Sequence, residues 1–199
     1  MSYSQNDEEA EILKIVGADP AGVFLDIGAY DGITRSNTLA LIRRGWRGAL
    51  VEPSIYAFER LLARHGANGA LWLILALVAR DRGIRKFWNS NGDGVSTTEE
   101  DHFEKWKNAA SFNHPVYVPT VTISELLNEF EFLREADVVS IDTEGTSVAI
   151  FASFPLWICR PRVFCVEKDG SPAILEGYAR GFGYQKVYES GENIVFASA

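Results

Sequence analysis

The sequence predicts an α/β fold, a mainly parallel sheet with helices on both faces and an antiparallel hairpin at its C-terminal end. Three observations predict it. Apolar runs of strand length alternate with amphipathic segments of helix length. Several of those runs stop at a glycine, a proline or an acid. The last two runs are joined by a short polar turn instead of a helix.

Glu8 to Val16 carries Ile12, Leu13, Ile15 and Val16, a short amphipathic helix that Gly17 ends. Val23 to Ile27 stops at Gly28, the pattern of a strand buried on both faces. Thr38 to Arg44 reads as a helix packing Leu39, Leu41 and Ile42 on the sheet, and Gly45 ends it. Ala49 to Glu52 is a second buried strand stopped by Pro53. Ser54 to His65 follows as a helix with Ser54 at its N-cap.

Leu71 to Ala79 has the length of a third strand, although its Leu and Ala content also suits a helix. Asp81-Arg82-Gly83 is a turn, Ile84 to Trp88 a returning strand, and Asn89 to Gly94 a loop. Residues 97 to 114 are polar with scattered aromatics and show no period. Val116 to Val121 is extended, and Thr122 or Ser124 caps a helix running to Phe132. Asp137 to Asp142 and Arg162 to Glu167 are further buried strands, each followed by a helix, at Val148 to Phe154 and Ala173 to Gly181. Tyr184 to Tyr188 and Asn193 to Ala197 flank Glu189-Ser190-Gly191-Glu192 as a hairpin.

Composition narrows the function. The 199 residues are 47% hydrophobic and 23% charged, ordinary for one soluble domain with a substantial core. A formal net charge of -8 argues against nonspecific binding to nucleic acid or anionic lipid. The densest basic run, Arg80, Arg82, Arg85 and Lys86, reads as a solvated turn. Cys159 and Cys165 form no CxxC pair and read as reduced core thiols, which suits a cytoplasmic protein. Met1 to Glu11 lacks the basic and apolar regions of a signal peptide, and Leu71 to Ala79 is too short to span a bilayer. No membrane partner is expected.

A parallel sheet of this kind binds ligands at the carboxyl ends of its strands, so acids placed there are candidates for a site. Asp26-Ile27-Gly28-Ala29-Tyr30-Asp31-Gly32 follows the first strand; Gly28 allows close backbone approach and Gly32 a tight entry to the next element. It is not the GxGxxG of pyrophosphate binders, and its opening acid suits a cationic or hydroxylated ligand. A plain strand-to-helix turn also fits. Glu52, twenty residues after Gly32, ends the second strand where a carboxylate accepts ribose hydroxyls, unless it is simply an exposed Glu before proline. Asp142 and Glu144 follow a central strand; buried strands seldom end in paired acids for stability, although helix capping is an alternative role. Glu167 adds a third acid to that rim. His102 and His114 are weaker candidates for a general base, more simply read as surface residues, and His65 as a helix-end residue. Trp88, Phe103, Trp106, Phe112 and Tyr117 suit either a substrate pocket or the core beneath an insertion.

These residues resemble the FkbM-type methyltransferases, within the class I group that uses S-adenosylmethionine. The resemblance runs through Phe24 to Gly32, Ser36-Asn37-Thr38, Gly45-Trp46-Arg47-Gly48, Val51-Glu52-Pro53, Val139 to Gly145 and Gly183-Tyr184, nearly the whole chain. Its most specific element is Ile141-Asp142-x-Glu144-Gly145. It implies a Rossmann-like sheet of seven strands in a single domain over residues 1–199, with a substrate-side insertion at about 84–118. It implies that Asp26, Gly28, Ala29, Tyr30, Asp31, Gly32 and Asn37 hold the donor, with Glu52 on its ribose and Asp142 and Glu144 near the transferred methyl. The third motif, Ala76-Leu77-Val78, departs by offering no polar side chain for adenine, so backbone groups or Asp81 must serve.

The implied acceptor is a hydroxyl of a sugar, glycan or small natural product. Asp142 orients or deprotonates it and Glu144 positions it. A divalent cation on Asp142, Glu167 and Asp169 is a less favoured variant. The competing readings are a nucleotide-binding oxidoreductase on a similar sheet and a module that binds the donor without catalysis.

Overall fold

The computed structural model describes residues 3–199, so the first two residues of the polar N-terminal stretch lie outside it. The main sheet has seven strands. Its parallel part comprises β1 (Val23–Ile27), β2 (Arg47–Glu52), β3 (Leu71–Leu75), β7 (Val138–Ile141) and β8 (Val163–Glu167). The hairpin of β9 (Tyr184–Glu189) and β10 (Asn193–Ser198) completes it, with β10 antiparallel to both β8 and β9. Its order, β3-β2-β1-β7-β8-β10-β9, grows outward in both directions from β1. The chain therefore leaves the C-terminal ends of β1 and β7 in opposite directions and opens a crevice between them.

Alternation along the strands divides the core in two. Phe24, Leu50, Val138, Val163 and Val195 face α1 (Glu8–Val16), α2 (Leu39–Arg43) and α3 (Ile55–His65), against Ile12, Leu41 and Leu61. Leu25, Val51, Val139, Phe164 and Phe196 face α5 (Ile123–Glu129), α6 (Ser147–Ala152) and α7 (Pro172–Gly181), against Leu127, Phe151 and Leu175. Ser54 caps α3 by accepting from Ala57 N–H, and Thr122 with Glu125 forms a reciprocal capping box on α5. Both cysteines are free and buried.

Two sequence expectations need correction, and one stretch without a period proves to be helical in part. The run Leu71 to Ala79 is not one strand. It breaks at Ala76, where the N–H bonds Glu52 C=O, and β4 (Leu77–Val78) pairs instead with β6 (Val116–Val121) in a second, three-stranded sheet with β5 (Ile84–Phe87). The helix expected to reach Phe132 ends at Glu129 and continues as a 3-10 turn over Glu131–Glu135. Residues 97–114 hold a further helix, α4 (Glu100–Trp106).

That helix sits on a small aromatic core. Phe103 stacks on Trp88 at 5.1 Å between ring centroids and meets Phe112 edge-on. Tyr117, by contrast, is 71% exposed. The basic run is spent on local partners, with Arg82 on Glu125, Arg85 on Asp81 and Lys86 over the Trp88 ring. Among the described residues no helix is long and apolar enough to cross a membrane.

Where β1 meets β7 the backbone is tightest. Gly28 has φ +85, and a Cβ there would lie 1.6 Å from the Asp142 carbonyl oxygen. Gly45 has a similar φ of +82, but a Cβ there would have nothing within 4 Å. Gly45→Ala should therefore cost about 1–2 kcal/mol, the left-handed penalty alone. Gly28→Ala must also displace backbone and should cost more than about 3 kcal/mol or prevent folding. Urea unfolding midpoints check the pair; equal losses would mean the β1–β7 approach is not tight.

Candidate active site

Between the C-terminal ends of β2, β1 and β7 lies a cavity of about 290 Å³. Its floor is the turn after β1. Gly28 and Ala29 N–H both donate to Val51 C=O, and Asp142 N–H donates to Ile27 C=O, locking three neighbouring strand ends together. Its far wall comes from the segment after β5, including Ser90, Gly92 and Ser96 to Thr98.

Glu52, at the end of β2, is 6% exposed. Its Oε2 accepts from Tyr30 N–H at 2.9 Å and its Oε1 from Ser54 N–H at 2.7 Å. Each oxygen keeps further lone pairs for the cavity. Burial pushes its carboxyl up to about 7; the two N–H bonds oppose that and the charges of Asp26 and Glu144 add to it. Asp26 is 4% exposed and accepts from Thr38 Oγ1 at 2.6 Å. Burial raises it to about 6 against the hydrogen bonds from Thr38 and Ser140.

Asn37 also lines the cavity, 5% exposed. Its Nδ2 donates to Ser140 Oγ at 3.3 Å, while its buried Oδ1 has no partner among the described residues. An acceptor buried without a donor is costly unless something else fills it. Tyr30, at φ 51, donates its hydroxyl to Gly92 C=O, and Arg60 joins both groups, at 3.1 Å to the hydroxyl and 2.9 Å to the carbonyl. The turn after β1 is thus tied to the segment that walls the cavity.

Asp142 and Glu144 line the same cavity, two strands away from Glu52 and so roughly 10 Å across the sheet. Glu144 has φ 52; its C=O accepts from Thr97 Oγ1 at 2.6 Å and its N–H donates to Glu167 Oε2 at 3.0 Å. Glu167 stands behind the wall and also accepts from Ser147 Oγ at 2.9 Å. Burial first, then neighbouring carboxylates, raises Asp142 and Glu167 well above the usual range.

Asp142, Glu144 and Glu167 bring oxygens within 4.8 Å of one another, a set able to hold a divalent cation. Asp169 is not part of it, a correction to the ligand set expected from sequence. Its oxygens accept from Gly145 N–H at 2.9 Å and Val148 N–H at 3.3 Å, at the start of α6.

Three other expected residues fall outside the cavity. Asp31, 2% exposed, accepts from Ile33 and Thr34 N–H and Thr34 Oγ1 and pairs with Arg64. Burial alone would raise it, but those bonds bring it below its ordinary value, and it serves the turn. Gly32 lies under α3, where a Cβ would meet His65 and Leu61 at 2.7 Å. Asp81 is exposed and paired with Arg85.

Sequence reasoning undervalues His102. It is no open surface residue: its side chain is 14% exposed and Nε2 lies 2.9 Å from Glu144 Oε2, off the axis of a ring N–H bond. It is undervalued because α4 has no apolar period to show which of its sides turns inward. Thr34 and Arg35, which carry no motif signal, also line the cavity, as do Ser36 and Ser140 from within the matched motifs. His114 lies apart, exposed, in a neighbouring concavity with Ile55 and Val116. His65 is buried at the end of α3, Nε2 3.2 Å from Gly32 C=O.

The raised carboxyls link the site to stability. Each keeps its proton in the folded protein at pH values where an unfolded carboxyl, titrating near about 4, has lost it. The folded state then binds more protons, so stability falls as pH rises from about 4 through the raised values. The ligand-free protein should melt at a lower temperature at pH 8 than at pH 6, and Glu167→Gln should narrow the gap. Calorimetry at the two pH values reads this, and an unchanged or reversed gap would mean the acids are ionised throughout.

Among curated proteins no sequence matches the chain. A crystal structure of a fibrillarin/Nop5p complex aligns over 90% of this chain and 73% of that one, at 11% identity and a TM-score of 0.46, a distant likeness on which no conclusion rests. Residues 26–185 match the family model of the methyltransferase FkbM domain. That match spans most of the chain, from the acid that opens the β1 turn to the first residues of β9. The chain therefore belongs to the FkbM methyltransferase family and is an S-adenosylmethionine-dependent methyltransferase.

Proposed function

We propose that this chain methylates a hydroxyl of an uncharged sugar, glycan or small natural product, and that the cavity between β2, β1 and β7 is the site of both donor and acceptor. The observation that carries the reading is the convergence of Glu52, the Gly28–Ala29 turn, Asn37 and Asp142 on one cavity at the topological switch point.

The residues present fit S-adenosylmethionine. Glu52, aimed by two N–H groups, accepts from both ribose hydroxyls. The orphaned Asn37 Oδ1 accepts from the ammonium of the amino-acid end. Leu77, Val78 and Phe87 offer an apolar slot for the purine, with backbone groups of residues 76–78 nearer to hand than Asp81. When bound, this donor supplies an electrophilic methyl whose sulfur leaves as a neutral thioether.

Asp142 takes the proton of the acceptor hydroxyl as its oxygen bonds the methyl carbon. Its raised carboxyl makes the ionised form a stronger base than an ordinary aspartate, matched to proton transfer near neutral pH. Glu144 orients the acceptor, its backbone fixed by Thr97 and Glu167. The wall from residues 90–98 keeps water from the reacting oxygen. Net charge -8 supports an acceptor other than nucleic acid. The family favours methyl transfer over an oxidoreductase on a similar sheet, and the acids facing the donor favour catalysis over mere binding. A metal-assisted variant would use Asp142, Glu144 and Glu167; turnover surviving exhaustive chelation excludes it.

Glu52→Gln should weaken S-adenosylhomocysteine binding by about 10- to 100-fold in titration calorimetry, the loss of charge-assisted bonds. Wild-type affinity should rise between pH 6 and 8, as Glu52 ionises through about 7. A tritiated-donor screen over sugars, glycans and alcohols identifies the acceptor. With that acceptor, Asp142→Asn should lower turnover by at least about 100-fold while binding of the uncharged-sulfur product stays within about 3-fold. Full turnover in Asp142→Asn would remove the proposed base.

A further inference from the structure

The cavity is lined by four carboxylates of the proposed site, Asp26, Glu52, Asp142 and Glu144. Among the described residues that line it, Arg35 is the one with a cationic side chain. Neighbouring guanidinium groups are committed: Arg64 pairs with Asp31, and Arg60 binds Tyr30 and Gly92. Arg35 has no ion-pair or hydrogen-bond partner for its side chain among the described residues, and it is exposed.

Its placement is built. Arg35 has φ 57, a left-handed conformation that a non-glycine residue holds only under constraint from its surroundings. That constraint comes from both sides. Asp31 grips Thr34 through N–H and hydroxyl, and Ser36 Oγ accepts from the N–H groups of Thr38 and Leu39. A backbone bridge from Ser4 to Arg35 brings Gln5 to the same cavity edge. Two residues on, Asn37 presents its unpartnered, buried Oδ1.

We infer that Arg35 binds the carboxylate of the donor's amino-acid end, while Asn37 takes the ammonium on the same carbon. The inference rests on the donor reading above. A carboxylate entering a cavity lined by acids is repelled unless a cation meets it, and a guanidinium offers a planar fork of donors for that group. Arg35 and Asn37 lie on one segment, as the two charges lie on one carbon of the ligand. An acidic acceptor carries the same chemistry, and the experiment separates the two sources.

The probes are S-adenosylhomocysteine and its decarboxylated analogue, S-adenosyl-3-thiopropylamine, which keeps the amine. Titration calorimetry is run on the full chain as wild type, Arg35→Gln and Arg35→Lys, with melting temperatures recorded alongside. Wild type should bind S-adenosylhomocysteine more tightly than the analogue. Arg35→Gln should weaken the former by about 10- to 100-fold and the latter by less than about 2-fold, with Arg35→Lys in between. Parallel weakening of both ligands overturns the inference, because Arg35 then shapes the cavity without touching the carboxylate. Unchanged S-adenosylhomocysteine binding in Arg35→Gln overturns it too and leaves the guanidinium for an acidic acceptor. Equal wild-type affinity for the two probes removes the carboxylate contact while the adenosine reading stands. Failure of wild type to bind either probe brings down the donor reading itself.

Discussion

The contact that the rest depends on is the backbone approach of two strand ends. Asp142 N–H bonds Ile27 C=O, and the Asp142 carbonyl fills the space that a side chain at residue 28 would need. β1 and β7 are paired along their length, yet the chain departs from their ends in opposite directions. Glycine lets the two departing turns touch before they part. That contact sets the distance from the floor of the cavity to Asp142, and Val51 C=O, accepting from Gly28 and Ala29, carries the same constraint across to Glu52. Side chains that the sequence holds far apart are therefore placed by backbone hydrogen bonds, the least compliant links at hand.

The second constraint is electrostatic. Acids gathered in a part-dry space repel, and each must be held by donors or keep a proton. The protein uses both solutions. Glu52 has two N–H groups, Asp26 has the Thr38 hydroxyl, and burial with neighbouring charge raises Asp142 and Glu167 so that they keep protons where an ordinary carboxyl loses its own. Lys and Arg are nearly absent from the cavity wall. A site arranged in this way is poorly neutralised by its own residues.

Much of this is legible in the sequence because strands buried on both faces have continuous apolar runs, and Val23 to Ile27 has the bounds that the pattern suggests. Glu52 and Asp142 are legible because they end such runs. The break at Ala76 is not, since Leu71 to Ala79 stays apolar across it and backbone pairing alone decides where the strand leaves the sheet. α4 escapes because it is held by stacking on Trp88 and contact with Gly145, neither of which writes a period into the chain. Adjacency to Gly28 makes Asp31 and Gly32 look like ligand contacts. Arg64 pairs with Asp31 and His65 packs on Gly32, each 33 residues further along the chain.

The departure at Ala76 has a consequence beyond the shape of the cavity. β3 is the outermost strand on its side, and an outer strand with unpaired amides is a template for another chain. Leaving the sheet after five residues keeps that template short. The opposite border, β9, carries Lys186, paired with both Glu189 and Glu176, so a strand approaching there would have to strip charged side chains of water. The same turn of backbone that shapes the pocket also shields the molecule from growing sideways into aggregates.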